Sequence, residues 1–403
     1  MVNESLYQRL SKIGSFSVID GKETLELTPF NAVAYQDAVK RGSVNEVAQL
    51  ADIMSNTNLM TGFGALRDEG QILPHFLMQD AYAFMDLLFN IDPLVLQQFP
   101  GDRRKIGYIA PGEEKYDSGP ELWKSSWYYS ITDKNLITNK SASEISGPKR
   151  GYQLGWPNPD TTTRFMDPRR LVLDQTGARL VGGIMRSLNK EERAFFRYAS
   201  DWVIPKVHKG LDLLGRLGLS GLMHGCYGME PDHFLKGIFL DIEGNGYGTT
   251  RLLQYYTGEK GKVGDVIAGR HQDTSLGAVI DLRMDQSALP LRERTSGEEN
   301  NFASCLEVEV TPDTWVPAVI GKNTYSFNVG WLLVQYARAL EENGIISTRS
   351  ELLPTFHRVV RRNLNLERSV LVHFPDGNPN ATIGNKTFQQ VSEMDFLHRV
   401  GHL

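Results

Sequence analysis

Residues 269–282 read GRHQDTSLGAVIDL, and they join two signals of different kinds. The second half, SLGAVIDL, is a short apolar run of strand length rich in β-branched residues. The first half sets His271 and Asp273 two residues apart. In extended chain, residues i and i+2 point to the same face, so an imidazole and a carboxylate converge on one point at a strand edge. Taken alone a His-x-Asp triplet is common, and its bland reading is a pair of hydrogen-bonded polar residues. What surrounds it decides between the two.

Further short β segments flank this stretch: TRLLQYY, CLEVEV, TWVPAV, TYSFNVG and RSVLVHF, separated by turn-rich or charged loops. Many short strands without crossover helices predict an antiparallel sandwich or barrel. One helix, LLVQYARALEENGI, interrupts them and ends at Gly344. Upstream, from Asn31 to Phe99, the spacing is mostly helical, with a short strand in NLMTGFGALRD. Residues 101–163 are rich in Gly, Pro, Trp and Tyr and read as ordered loop. A long amphipathic helix follows from Asn189 to Leu217, kinked or divided at Pro205. The chain therefore reads as an α+β, mainly β protein: a helical region over residues 1–235 packed on a β core over residues 236–403, in one catalytic unit.

Composition bounds the function. Hydrophobic residues make up 41% and charged residues 23% of the 403, which is the balance of a globular protein. A net charge of -5 gives no electrostatic support for nucleic-acid binding. No stretch reaches membrane-span length and the start lacks a secretory pattern, so a cytoplasmic protein without a membrane partner is expected. The two cysteines, Cys226 and Cys305, form no metal-knuckle spacing.

A third ligand to a metal held by His271 and Asp273 must come from elsewhere. His357, in LPTFHRVV, lies on a later apolar segment suited to the same core. Two imidazoles and one carboxylate leave three open positions on an octahedral iron, enough for dioxygen and an organic molecule together.

In order along the chain stand Gln254-Tyr255-Tyr256, His271-Gln-Asp273, Trp315-Val-Pro317, Asn328-Val-Gly330, His357-Arg358-Val359 and Arg368. Each is weak, but their order resembles that of the isopenicillin N synthase-like family of iron(II) and 2-oxoglutarate dependent dioxygenases. There an NYYP segment precedes the HxD, an NxGD turn follows a WVP strand, and a distal HR leads to an RxS. The resemblance implies a double-stranded β-helix (jelly roll, cupin-like) with flanking N-terminal helices. It also implies Fe(II) at His271, Asp273 and His357, with 2-oxoglutarate and dioxygen as co-substrates. Arg368, Tyr256 and Gln254 occupy the co-substrate positions, and the substrate is a small molecule such as an amino acid or a secondary-metabolite precursor. Tyr108 and Arg164, in the aromatic loop region, are candidate substrate contacts.

The chain departs from the pattern where the RxS serine should stand: position 370 is Val, and Ser369 is shifted by one to the opposite strand face. The Asp of NxGD is Trp331, and the segments around residues 284–301 and between Asn328 and His357 are longer than the pattern. Two alternatives therefore stand beside the 2-oxoglutarate reading. One is an oxidase like isopenicillin N synthase, which takes all its electrons from the substrate. The other is a β-barrel binding protein without chemistry.

Overall fold

The computed structural model describes residues 14–19, 22–97, 107–112, 115–116, 119–120, 124–129, 186–238, 248–256, 262–281, 306–319, 324–347, 349, 351–361, 368–378, 380–383, 386–388 and 390. Strands β1 (Gly14–Ile19), β2 (Lys22–Leu27) and β3 (Phe30–Asn31) come first. Helices α1 (Ala32–Arg41) and α2 (Val44–Thr61), strand β4 (Phe63–Arg67), and helices α3 (His75–Phe89) and α4 (Pro93–Leu96) follow. Then come β5 (Gly107–Ile109), the hairpin β6 (Lys115–Tyr116) and β7 (Gly119–Pro120), and β8 (Lys124–Tyr129). Three helices, α5 (Lys190–Tyr198), α6 (Ile204–Tyr227) and α7 (Pro231–Ile238), lead into the β-rich half.

That half runs β9 (Thr249–Tyr255), β10 (Val266–His271), β11 (Gly277–Asp281), β12 (Leu306–Thr311), β13 (Thr314–Val319) and β14 (Thr324–Val329). Helix α8 (Trp331–Glu342), β15 (His357–Val360), β16 (Arg368–Phe374), β17 (Thr382–Ile383) and β18 (Lys386–Thr387) complete it. Each strand expected from the sequence in this half is present.

The strands form two large sheets. One has the order β1-β2-β13-β12-β15-β10, the other β3-β4-β14-β11-β16-β9-β8-β5. From β9 to β16 the chain passes between them so that β9, β11, β14 and β16 lie in the eight-stranded sheet and β10, β12, β13 and β15 in the six-stranded one. Pairing throughout this set is antiparallel. Two antiparallel sheets filled by exchange of successive strands make the jelly-roll arrangement.

Alternation along each strand sorts side chains onto two faces. Leu253, Tyr255, Ala278, Ile280, Val370 and Val372 of the larger sheet meet Ala268, Leu306, Val308 and Val359 of the smaller in an inner core. The other face of the larger sheet, with Leu252, Val279, Phe327 and Leu371, packs on the helices in a second, more extensive core.

Local sequence explains the helices that cover that face. Asn189 caps α5 and Glu192 reaches back to its backbone N–H, a capping box. Pro205 has no N–H and its ring would strike the carbonyl of residue 201 in an uninterrupted helix. The chain meets this with a π-helical turn, Ala199–Val203, before α6 starts at Ile204, so one periodic stretch becomes two helices. Within α6, a Cβ at Gly218 would sit 3.0 Å from Leu66 and 3.3 Å from Phe327, which lets the helix lie close on the sheet.

The aromatic region expected to be loop departs from that reading. It supplies β5 and β8, which extend the larger sheet beyond β9. Every residue of β8 is buried, so the stretch KSSWYY shows no polar–apolar alternation to read.

Candidate metal centre

The ladder between β10 and β15 shifts register twice and ends on the cross-strand pair His271 and His357. Irregularities of this kind re-aim side chains at the end of a strand. Here the two imidazoles face each other with ring centroids 4.2 Å apart. Asp273 lies two residues beyond β10, in the turn that leads to β11 rather than on the strand itself. That turn is tied down by α8: the Trp331 N–H donates to the Asp273 carbonyl (2.9 Å) and the Gly330 N–H to the Leu276 carbonyl (3.1 Å). Trp331, which stands where the resemblance would place an aspartate, thus holds the ligand turn through its backbone.

One ligand atom from each of His271, Asp273 and His357 falls within 4.8 Å of the others. Asp273 Oδ2 is 3.8 Å from His357 Nε2, and Asn328 Nδ2 lies 3.5 Å from the same carboxylate oxygen. Backbone carbonyls set the tautomers. His271 Nδ1 donates to the Gly269 carbonyl at 2.7 Å, and His357 Nδ1 to that of Thr355 at 3.3 Å. Each ring then presents a bare Nε2 to the common centre, the form in which imidazole ligates.

Burial, followed by the neighbouring His357, pushes the His271 pKa well below the usual histidine range. Lys124 and Arg251 act in the same direction, against a counter-effect of the Gly269 carbonyl. A neutral His271 accepts a cation without first losing a proton. Two imidazoles and one carboxylate within a few ångströms fit a divalent first-row metal with open positions.

The other sequence-predicted residues separate. In the pairing of β16 on β9, Arg368 stands opposite Tyr255 and Ser369 opposite Gln254. Position 368 is in phase with Val370 and Val372 of the inner core. Gln254 is on the other face: its Oε1 accepts from the Ser369 hydroxyl at 2.6 Å, alongside Leu252 and Leu371 of the helix-side core. Tyr256 is hydrogen-bonded through its hydroxyl to Ser125, 2.5 Å away, and Ser125 is the β8 partner of Gln254. The structure thus corrects both positions: the tyrosine turned to the inner core is Tyr255, because a register offset of one residue exchanges the two faces of a strand.

Tyr108 is a further correction. It is 2% exposed and lies on Trp127 in the helix-side core, with ring centroids 6.5 Å apart, so it does not line the metal side. Arg164 and the 284–301 segment lie outside the described residues.

Reading by motif missed two polar residues of the inner face. Arg251 pairs with Val372 and Tyr128, and Lys124 with Tyr255, all in phase with the inner core. Strand phase counted back from Tyr255 would have placed Arg251; Lys124 needed the β8 pairing.

No protein-family model matches the chain, and no curated protein matches it. Solved structures do. A Caulobacter crescentus protein described as of the 2OG-Fe(II) oxygenase family superposes with a TM-score of 0.56 at 18% identity, covering 93% of this chain and 99% of that one. A full-length Neurospora crassa protein solved in complex with alpha-KG gives 0.57 at 14% identity, covering 95% and 100%. The same Neurospora protein with alpha-KG and 5-formyluracil gives 0.53 at 14% identity, covering 93% and 96%. At such identities the likeness concerns the fold: the chain has the double-stranded β-helix architecture of the 2OG-Fe(II) oxygenase structures, with flanking helices.

Proposed function

We propose that this chain is a non-haem iron(II) and 2-oxoglutarate dependent dioxygenase that oxidises a small organic molecule. The observation that carries this is the convergence of two bare imidazole nitrogens and one carboxylate of His271, Asp273 and His357. The fold adds support, since the Neurospora crassa protein, built on the same architecture, holds alpha-KG. Within this reading, residues 1–235 and 236–403 act as one catalytic unit, and an amino acid or a secondary-metabolite precursor in the cytoplasm is the natural substrate class.

Bound iron(II) with 2-oxoglutarate and dioxygen supplies the oxidising power for hydroxylation, desaturation or ring closure. The chain's own residues bind and orient. His271 and His357 hold their Nε2 atoms fixed through the Gly269 and Thr355 carbonyls. Trp331 and Gly330 fix the turn that carries Asp273. Position 368 on β16 is the place for a guanidinium that grips the far carboxylate of 2-oxoglutarate, a bidentate and charge-assisted contact. The apolar inner core excludes water from the reacting C–H bond.

Anaerobic titration tests the reading. Iron(II) should bind in a one-to-one ratio, and adding 2-oxoglutarate should raise a metal-to-ligand charge-transfer band. Protein that binds no iron(II) sinks the proposal and leaves the binding-protein alternative.

A second reading draws on one observation. Val370, buried on the inner face, offers no hydroxyl beside position 368, which suits an oxidase that needs no co-substrate. Succinate released in step with turnover excludes that reading; iron-dependent oxygen uptake without 2-oxoglutarate selects it.

A further inference from the structure

Along β14, residues of the two sheet faces alternate, and every residue on the inner side is polar. Tyr325, Phe327 and Val329 lie in the helix-side core, so Thr324, Ser326 and Asn328 fall on the face turned to the inner core. The flanking strands are apolar beside the last two. Asn328 stands between Phe63 and Ala278, and Ser326 between Ala65 and Ile280, all four of them members of the inner core. Strand β14 thus lays a polar track across an apolar face.

The track begins at the metal-binding residues. Asn328 Nδ2 lies 3.5 Å from Asp273 Oδ2 and 3.5 Å from His357 Nδ1. A carboxylate only accepts, so it takes the N–H end of the amide, and the amide oxygen needs a donor of its own. Among the described residues neither Asn328 Oδ1 nor the Ser326 hydroxyl has a hydrogen-bond partner, and both residues are 0% exposed. A buried polar atom without a partner is destabilising. The fold does not explain two of them at successive positions of one face, since an alanine at 326 would pack as Ala65 does beside it. Ala65 and Ala278 also keep the side chains short on alternate sides of the track.

We propose that Asn328 and Ser326 orient the substrate of the iron reading, on which this inference rests. The amide oxygen accepts from an N–H or O–H group beside the metal. The hydroxyl takes a second polar group about 7 Å further on, the length of one i to i+2 step along a strand. The molecule oxidised is accordingly one that carries an N–H or O–H donor and a second hydrogen-bonding group at that spacing, not a plain hydrocarbon.

Calorimetry on the iron(II) protein saturated with 2-oxoglutarate, without oxygen, tests this. The probe is para-hydroxybenzamide, whose hydroxyl and amide stand at opposite ends of a rigid ring, beside its O-methyl ether and its N,N-dimethylamide. Wild type should bind the parent about tenfold more tightly than either capped form. Ser326→Ala should bring the effect of one cap below about twofold and keep the effect of the other. Shortening the side chain only adds room, so a preference due to the bulk of a methyl group would survive it. The same variant should hold iron(II) and 2-oxoglutarate within about twofold of wild type. It should melt no lower, because the hydroxyl it loses has no partner among the described residues.

Parent and capped forms bound alike by wild type overturn the proposal and leave the two atoms to ordered water. Absence of parent binding in the millimolar range overturns it, as do two cap effects that both survive Ser326→Ala. A matching loss of 2-oxoglutarate affinity also overturns it, because the track would then belong to the co-substrate, and a lower melting temperature would mark the hydroxyl as structural. The wild-type comparison decides even if the variant does not fold. Failure of iron(II) binding would strike the iron reading instead, and the same three compounds titrated into metal-free protein would still decide the track.

Discussion

Two clusters of two histidines and one aspartate stand on opposite sides of the larger sheet's neighbourhood, and their wiring differs. At the barrel end, His271, Asp273 and His357 send their polar atoms toward one centre. Behind the sheet, His208, His373 and Asp212 are wired in a chain. His373 Nε2–H donates to Asp212 Oδ1 at 3.2 Å, which leaves its Nδ1 to accept from the Thr250 hydroxyl at 2.9 Å. The Thr250 oxygen in turn accepts from His208 Nδ1 at 2.8 Å, and Arg216 closes the far end on Asp212 at 2.9 Å. Residue type alone does not distinguish the two. Where backbone carbonyls take the Nδ1 protons, the Nε2 atoms remain for a ligand; where side chains take ring protons from His208 Nδ1 and His373 Nε2, the cluster joins helix α6 to the sheet.

The largest expected effect breaks this comparison outright. Asp273→Ala should remove iron(II) binding and with it all turnover, with a change in melting temperature of only a few degrees. Asp212→Asn should do the reverse: a loss of about 3 kcal/mol in stability, from leaving buried His373 and Arg216 without their charged partner, with iron affinity unchanged within about twofold. Iron titration and denaturant melts on the two variants check both halves. An iron site lost in Asp212→Asn, or kept in Asp273→Ala, would reverse the assignment.

Next in size is the scaffold of the ligand turn. A Cβ at Gly330 would run into the Ser275 carbonyl oxygen, a backbone atom that cannot step aside. Gly330→Ala should therefore push the 273–276 turn away from α8. Iron affinity should fall by about tenfold, the size typical for disturbing what orients a ligand. Overpacking should add a stability loss of about 1–3 kcal/mol.

How much of this was legible in the sequence follows from the same physics. Strands β9, β11, β12, β13, β14 and β16 were readable because their apolar runs are bounded by turn residues, and His271, Asp273 and His357 because ligand spacing survives as text; β10, which ends on His271, was not read as a strand. The strand at β8 was not, since both of its faces are covered and all six residues of KSSWYY are buried. The partners of position 368 were misplaced for a different reason. A motif fixes the order of residues but not strand register, and one residue of offset moved Gln254 and Tyr256 away from the inner face while Tyr255 turned toward it. Pro205 announced the break before α6, but the π turn that absorbs it depends on the packing of the helix on the sheet.

The chained cluster carries its own pH signature. Burial, above all, pushes the His208 pKa down to about 3, with the charge of His373 acting the same way. Lys209 and Arg216 add to the drop and Asp212 opposes it. Among the described residues the buried His208 Nε2 has no hydrogen-bond partner, so a proton there finds no acceptor among them. As pH falls below about 6.5, the unfolded chain takes up a proton that the folded chain refuses, and stability declines toward pH 3. From pH 7 to pH 5 this residue should remove about 2 kcal/mol. His208→Gln should flatten that decline by a similar amount, read from urea melts at the two pH values; an unchanged slope would place the acid sensitivity elsewhere.

The smallest effect is also the one that separates register from motif most cleanly. Ser369 donates to Gln254 Oε1 on the helix side of the sheet, with both side chains buried. If the strand phase is as described, Ser369→Ala removes one buried hydrogen bond and costs about 1 kcal/mol. It should leave the dissociation constant of 2-oxoglutarate unchanged, because nothing on that face reaches the inner core. If instead the Ser369 hydroxyl serves the co-substrate in place of the one missing at Val370, the same substitution should weaken 2-oxoglutarate by about tenfold with little change in stability. The two outcomes fall in different measurements, a melt and a charge-transfer titration, so a single conservative substitution decides whether β16 presents its hydroxyl to the helices or to the metal.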